Sequence, residues 1–377
     1  MEITEILNNP VYFTLALVFA AMALIQLFYF WFIFSRLAFY KSRNIPTDDM
    51  PPVSIVITAS NQYRSLRDNL PALFEQDYSD FEVVVVNDNS DDDTDELLKS
   101  LSGKYPKLKV VELTQSLNWF RGRKFPLSLG IKSSANELLM LTDADCVPAG
   151  RHWLRQMVSA YKSGTCVVLG YASWKSNSRI NKWLRFTAFY DALMYLSMAL
   201  AGVPFKGIGR NLSYKKSLFY AHKGFSSHYI IDAGDDELFV NRTASRKNTV
   251  IRPDPEAQVF STRADGFSAW FKTERTRLLI RRFFRWKHRF ALQLFNLSNF
   301  LFHSLFVILL VLGVSPLIIL GIFLLRFISQ MIIFGLSQKR LSEKKLLLLS
   351  PVFEFALILI DFLIWLMLIF TKKKKWA

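Results

Sequence analysis

Cysteine is nearly absent, with two in 377 residues, Cys146 and Cys166. Neither stands at the paired spacing of a zinc site, and two thiols make no disulfide framework, so a stapled scaffold is excluded and a reducing compartment suits the chain. Charge is scarce too, at 21% of residues against 51% hydrophobic, a balance that points to the membrane. Acids are outnumbered, 31 Asp and Glu to 47 Lys and Arg, giving a net charge of +16. A glycine-rich phosphate loop and a dinucleotide fingerprint are both missing after the first strand-like run, where TASNQYR stands instead. Mononucleotide kinases and nicotinamide dehydrogenases thereby lose most of their support.

What the chain does have is long apolar runs. Residues 11–35 contain no ionisable side chain except tyrosines, which at about 1.5 Å of helical rise per residue is enough to cross a ~30 Å hydrocarbon core. The preceding MEITEILNNP is acidic and no small-residue cleavage site follows, which speaks against a cleavable leader. A second apolar region covers residues 290–336 and 346–370, its first block interrupted at Gly313, Ser315 and Pro316. One amino-terminal and three carboxyl-terminal spans are expected. The division that follows is an anchor over 1–41, a globular domain over 42–274, a basic interfacial helix over 275–289 and a membrane region over 290–377.

Basic residues crowd the membrane borders: Arg36, Lys41 and Arg43, then RTRLLIRRFFRWKHR. By the positive-inside rule the globular domain is cytoplasmic and the protein a multi-pass component of the inner membrane. Four spans would return the KKKKWA tail to the amino-terminal side; either one carboxyl-terminal segment does not cross or the larger basic clusters outweigh the tail. The aromatic and basic stretch 270–290 reads as an interfacial helix with Phe283, Phe284 and Trp286 dipping inward, with no nucleic-acid role. Its positive surface suits phosphate-bearing lipids. Inside the apolar region Arg326 and Asp361 are expected to pair, because an unpaired charge there is costly.

Within the polar block, short apolar runs alternate with amphipathic ones: VSIVIT, RSLRDNLPALFEQ, FEVVVVN, DELLKSLSGK, LKVVEL, GRKFPLSLGIKSS and LLMLT. This is a βαβ rhythm, and strands apolar on both faces, such as VVVV, mark a mostly parallel sheet covered by helices on both sides. Ligands of such sheets bind beyond the carboxyl ends of the strands. Those ends are polar here: Asn61 and Gln62, then Asn87 to Ser90, then Asp143-Ala144-Asp145. Asp91 to Asp93 are first-turn acids that complement a helix dipole, whereas Asp88 lies too far upstream for that role and is a candidate ligand contact.

In an extended strand Asp143 and Asp145 project to one side, and two carboxylates so placed repel unless a cation sits between them. Oxygen ligands select Mg²⁺ or Mn²⁺, which commonly take one or two carboxylates plus substrate phosphates. Further on, IIDAGDDELFVNRTAS offers Asp232, Asp235, Asp236 and Glu237 as candidate general bases or as a helix start rich in acids. Between these groups FKGIGRNLSYKK supplies Gly207 and Gly209 for close backbone approach, and Arg210 and Asn211 for hydrogen bonds.

Taken in order, VSIVITASNQ, VVVVNDNSDDDT, GRKFPLSLGIKSSANELLMLTDADC, GRNLSY and AGDDELFV resemble the membrane-bound, inverting glycosyltransferases of family 2, which have the GT-A fold. The resemblance covers residues 52–277 and implies an α/β, Rossmann-like nucleotide-sugar domain with flanking membrane helices. It puts Asn61, Gln62, Asp88, Lys124, Asp143 and Asp145 on the donor side, with Asp145 and Asp143 as metal ligands. Asp236 becomes the base beside Asp235, and Gly209, Arg210 and Asn211 the acceptor segment. The implied partners are a UDP- or GDP-sugar, a lipid-linked or saccharide acceptor and the membrane lipid. Two departures stand out: Gln62 replaces a glutamate common in the family, and T-E-R-T-R at 273–277 replaces the Q-x-x-R-W of processive synthases, with Arg275 or Arg277 left to steady the diphosphate. The resemblance therefore implies non-processive transfer in envelope polysaccharide or glycolipid synthesis. The alternatives are transfer to a polyprenyl phosphate and a non-catalytic scaffold with a degenerate domain.

Overall fold

The computed structural model describes residues 9–42, 50–113, 122–175, 179–262 and 266–370. Arg43 and the KKKKWA tail lie outside them. The described residues divide into two units, one built mainly from 41–284, the other from 9–40 and 285–367.

The first unit is an α/β layer structure. Its strands are β1 (Val53–Ala59), β2 (Phe81–Asp88), β3 (Leu108–Leu113), β4 (Leu138–Leu141), β5 (Cys146–Pro148), β6 (Val167–Gly170), β7 (Ala172–Trp174), β8 (Leu212–Lys215), β9 (Thr249–Arg252) and β10 (Val259–Ser261). Seven of them form one sheet in the order β3-β2-β1-β4-β8-β6-β9, and β5-β10-β7 form a small second sheet. β8 pairs antiparallel with both β4 and β6, while the other pairings in the large sheet are parallel. The sheet is mixed for that reason alone. Val83 to Val86 have no exposure on either face, as a strand sandwiched by helices requires. The helix Lys124–Ser133 packs so closely that a Cβ on Gly130 would lie 2.7 Å from Val56 Cγ1 and 2.9 Å from Val86 Cγ2.

The second unit is helical. Asn9 caps Pro10–Phe28 by accepting from the Val11 amide at 3.0 Å, and the helix continues through a π-helical turn, Tyr29–Phe34, into Ser35–Ala38. Trp286–Val311 and Pro316–Arg340 are separated where Gly313 and Ser315 take φ of 67° and 33°, ahead of Pro316 in the first helical turn. With Ser350–Phe370, the described residues hold four helices long and apolar enough to cross a membrane.

At the centre of this unit Arg326 donates to Glu354 at 3.0 Å, to Asn299 at 3.1 Å and to Gln330, facing the rings of Phe30 and Phe302. Arg326, Glu354, Asn299, Gln330 and Gln26 are all at most 2% exposed. The carboxylate partner of Arg326 is therefore Glu354, not the expected Asp361.

The basic stretch 275–289 is not one helix. Phe267–Arg281 ends, a turn intervenes, and Trp286–Val311 begins. Phe284 is buried against Phe205 of the globular unit with ring centroids 6.0 Å apart, so it does not dip into lipid, whereas Trp286 is 70% exposed.

Candidate active site

The parallel order β3-β2-β1-β4 brings four strand carboxyl ends to one edge. Ala59 of β1 is level with Asn87 of β2. Asn61, at φ 53°, accepts from the Asp91 amide at 2.7 Å and donates its own amide to Ser90. The Gln62 amide donates to Thr94, and Asp92 ties the starts of the helices Tyr63–Asn69 and Thr94–Lys104 together by accepting from the Tyr63 and Thr94 amides. Asp88 is half-buried at the same edge, and burial raises its carboxyl above the usual range.

Beyond β4 the backbone does not stay extended. It turns, with the Cys146 amide donating to the Asp143 carbonyl at 3.0 Å, and this turn rather than strand alternation brings the two carboxylates together. An oxygen of Asp143, one of Asp145 and the Cys146 sulfur lie within 4.8 Å of one another. The turn is pinned: Ser261 donates to Asp145 at 2.8 Å, the Thr262 amide to the Asp145 carbonyl at 2.8 Å, and Asn69 to the Ala144 carbonyl at 3.2 Å. Arg123 pairs with Asp143 at 2.5 Å. Burial, then the two neighbouring carboxylates, pushes the Cys146 thiol well up, so it stays protonated and donates to Asp145 at 3.3 Å. The donors left for a cation are carboxylate oxygens, the set that fits Mg²⁺ or Mn²⁺ and not a thiophilic metal.

The second acidic group is held by Lys124. Its ammonium donates to the carbonyls of His228 at 2.8 Å, Ala233 at 3.0 Å and Ile231, and it is 2% exposed. Burial pushes its pKa down to about 8 against the pull of Asp235, Asp232 and Asp236. Next to it Gly122 has φ 87°, and a Cβ there would sit 2.2 Å from the Asp232 carbonyl oxygen. Lys124 thus anchors the segment that leads to the acids and has its donors spent on it.

Asp236 caps the helix Glu237–Thr243, accepting from the Glu237 amide at 2.7 Å and from the Gly209 amide at 2.6 Å. Burial, then Asp235 and Glu237, raises its carboxyl to about 7 in spite of the Gly209 amide and Lys206. Asp236 shares a cavity of about 480 Å³ with Asp143, Asp145, Arg123, Gly209 and Arg210. Asn61, Gln62, Asp88, Lys124, Asp235 and Asn211 are not in its wall. Asn211 lies behind it with no exposure, accepting from Trp153 and donating to the carbonyls of Tyr171 and Ala257, so its amide supports the fold there.

An ion network that the sequence reading missed closes the far wall. Lys206 pairs with Asp191 and Glu237, each at 2.8 Å. Arg277 pairs with Glu274 at 2.8 Å, with Asp191, and with Glu237 at 3.6 Å. Only the i, i+3 spacing of Glu274 and Arg277 was a readable signal.

Residues 54–227 match the family model described as Glycosyl transferase family 2. The chain is 34% identical over 113 residues to the "Probable glycosyltransferase YdaM" of Bacillus subtilis, covering 28% of this chain and 27% of that one. It is 32% identical over 125 residues to the "Glycosyltransferase AglE" of Haloferax volcanii, covering 33% and 39%. It thus spans well under half the length of these relatives. Among solved structures, the mannosyltransferase PcManGT from Pyrobaculum calidifontis, in complex with GDP-Man and Mn²⁺, superposes with a TM-score of 0.61 at 19% identity, covering 88% of this chain and 98% of that one. That likeness shows a shared fold.

Proposed function

We propose that this chain, a family 2 glycosyltransferase of the GT-A fold, transfers one sugar from a nucleotide-diphosphate donor to an acceptor hydroxyl with inversion. The observation that carries the reading is the meeting of Asp236 with Asp143 and Asp145 in one cavity. A base must be half ionised near working pH to take a proton efficiently, and Asp236 is held at about 7. Asp236 takes the hydroxyl proton as the acceptor oxygen bonds to the anomeric carbon. The bond from that carbon to the diphosphate oxygen breaks, and its electron pair leaves with the diphosphate. A divalent ion held by Asp145 and Asp143 would supply charge neutralisation of that leaving group. Asn61, Gln62 and Asp88 hold the nucleotide at the β1–β2 end of the same edge, and the backbone at Gly209 receives the acceptor beside Asp236.

The basic border residues favour a cytoplasmic orientation for the globular unit, with the apolar helices as its anchor. A polyprenyl phosphate acceptor is already anionic and has little use for a base, so the raised Asp236 favours a hydroxyl. The complete acid set also argues against a scaffold without activity.

The test is a thermal-shift screen of UDP- and GDP-sugars on the purified protein with Mg²⁺ and Mn²⁺. A true donor at a hundred times its Kd stabilises the folded state by about 2.7 kcal/mol. One or more donors should raise Tm only with metal present; a flat response across the panel would refute the reading.

A further inference from the structure

The leaving diphosphate gains a negative charge as its bond to the sugar breaks, and a protein cation beside the divalent ion can share in stabilising it. Arg123 is held on Asp143, and Arg277 is enclosed by Asp191, Glu237 and Glu274, so neither guanidinium is at liberty. Arg210 differs. It lines the cavity, sits over the Trp174 ring with its guanidinium carbon 4.2 Å from the centroid, and has no carboxylate or hydrogen-bond partner among the described residues. A guanidinium held over an aromatic face by cation–π attraction keeps its N–H donors available for bidentate contact with phosphate oxygens.

Its placement separates the donor side from the acceptor side. The Arg210 backbone follows Gly209, whose amide holds Asp236. The guanidinium, however, rests on Trp174 of β7, and Trp174 is the register partner of Ser261 in β10, which hydrogen-bonds Asp145. Arg210 therefore reaches from the base to the metal-binding acids, and its charge ends on the side of the carboxylates.

We propose that Arg210, oriented by Trp174, is the residue that binds the diphosphate of the donor and stabilises it as it leaves. This inference rests on the glycosyltransferase reading above and reassigns Arg210 from the acceptor to the leaving group. The anomeric carbon–oxygen bond breaks toward the diphosphate, the electron pair stays on that oxygen, and the Arg210 guanidinium accepts no proton and loses none.

The experiment is calorimetric titration of the full chain in detergent with UDP, GDP, UMP and GMP in the presence of Mn²⁺, comparing wild type with Arg210→Ala, Arg210→Lys and Trp174→Phe. Losing hydrogen bonds to a charged group should weaken the preferred diphosphate about ten- to a hundredfold in Arg210→Ala. The matching monophosphate should shift less than about twofold, and Arg210→Lys should recover only part of the loss. If Arg210→Ala unfolds, the Arg210→Lys and Trp174→Phe proteins give the same discrimination on a smaller scale. Unchanged diphosphate affinity in the folded variants would overturn the inference and leave the glycosyltransferase reading standing. Failure of the wild type to bind any of the four nucleotides would overturn both.

Discussion

The backbone amide of Gly209 donates a 2.6 Å hydrogen bond to Oδ2 of Asp236, while Oδ1 accepts from the Glu237 amide. Both carboxylate oxygens are thus fixed by backbone, and the acid faces the cavity in one orientation. Asp236→Asn keeps the size of the side chain and one of the two backbone bonds, and removes the base. Turnover should fall about 10²- to 10⁴-fold with donor affinity nearly unchanged. Loss of donor affinity in place of turnover would move Asp236 out of the base role.

Because Asp236 is held at about 7, activity should rise with pH through that value as the carboxylate forms. Stability runs the other way. The folded state keeps a proton that an unfolded aspartate releases near 3.8, so this group's contribution is full below that pH and is lost as pH rises to about 7. Across pH 5 to 8, the Tm of Asp236→Asn relative to wild type should therefore climb. A difference independent of pH would contradict the raised carboxyl.

Lys124→Met would strip the carbonyls of His228, Ile231 and Ala233 of their shared donor. Leaving buried carbonyls unpaired costs about 1–3 kcal/mol each, and residues 228–236 should exchange amide hydrogen faster. Since Lys124 spends its donors on this segment, the kinetic loss should fall on kcat and not on donor affinity. A selective rise in donor Kd would restore Lys124 to direct donor binding.

In the helical unit, Glu354→Leu would leave the Arg326 guanidinium buried without its carboxylate. Breaking a buried pair costs about 3–5 kcal/mol. The variant should show a clearly lower Tm in detergent, and Glu354→Gln a milder loss, because a neutral amide still accepts from Arg326. Equal Tm values for wild type and Glu354→Leu would remove the network from the account of stability.

Much of this was legible in the chain because it rests on periodicity. VSIVIT, FEVVVVN and LLMLT are apolar on both faces and, with LKVVEL at the sheet edge, became the four adjacent parallel strands, and the span break at Gly313 to Pro316 follows from backbone chemistry. The reversed β8 was not legible, since four residues, LSYK, carry no sign of direction. Nor were the three-residue strands that make the small sheet, although that sheet positions Ser261 and Trp174. Arg326 was matched to Asp361 on hydrophobic context alone. The depth at which neighbouring helices align depends on the connection over 341–349, where Ser342 and Lys345 take φ of 58° and 60° without being glycine. At the site, Asp88, Asp143 and Asp145 were readable from their position after strands, and Asp235 and Asp236 from the acid-rich start of a helix. The duties of Lys124 and Asn211 were not, because a buried polar side chain is defined by the carbonyls it meets after folding.

The most direct measurement is release of nucleoside diphosphate from the donor selected by the thermal-shift screen, followed with purified protein plus and minus Mn²⁺ for wild type and Asp145→Ala. The account predicts release by wild type with metal, its loss on chelation, and a fall of at least about 10²-fold in Asp145→Ala. Release that survives both chelation and Asp145→Ala would contradict it.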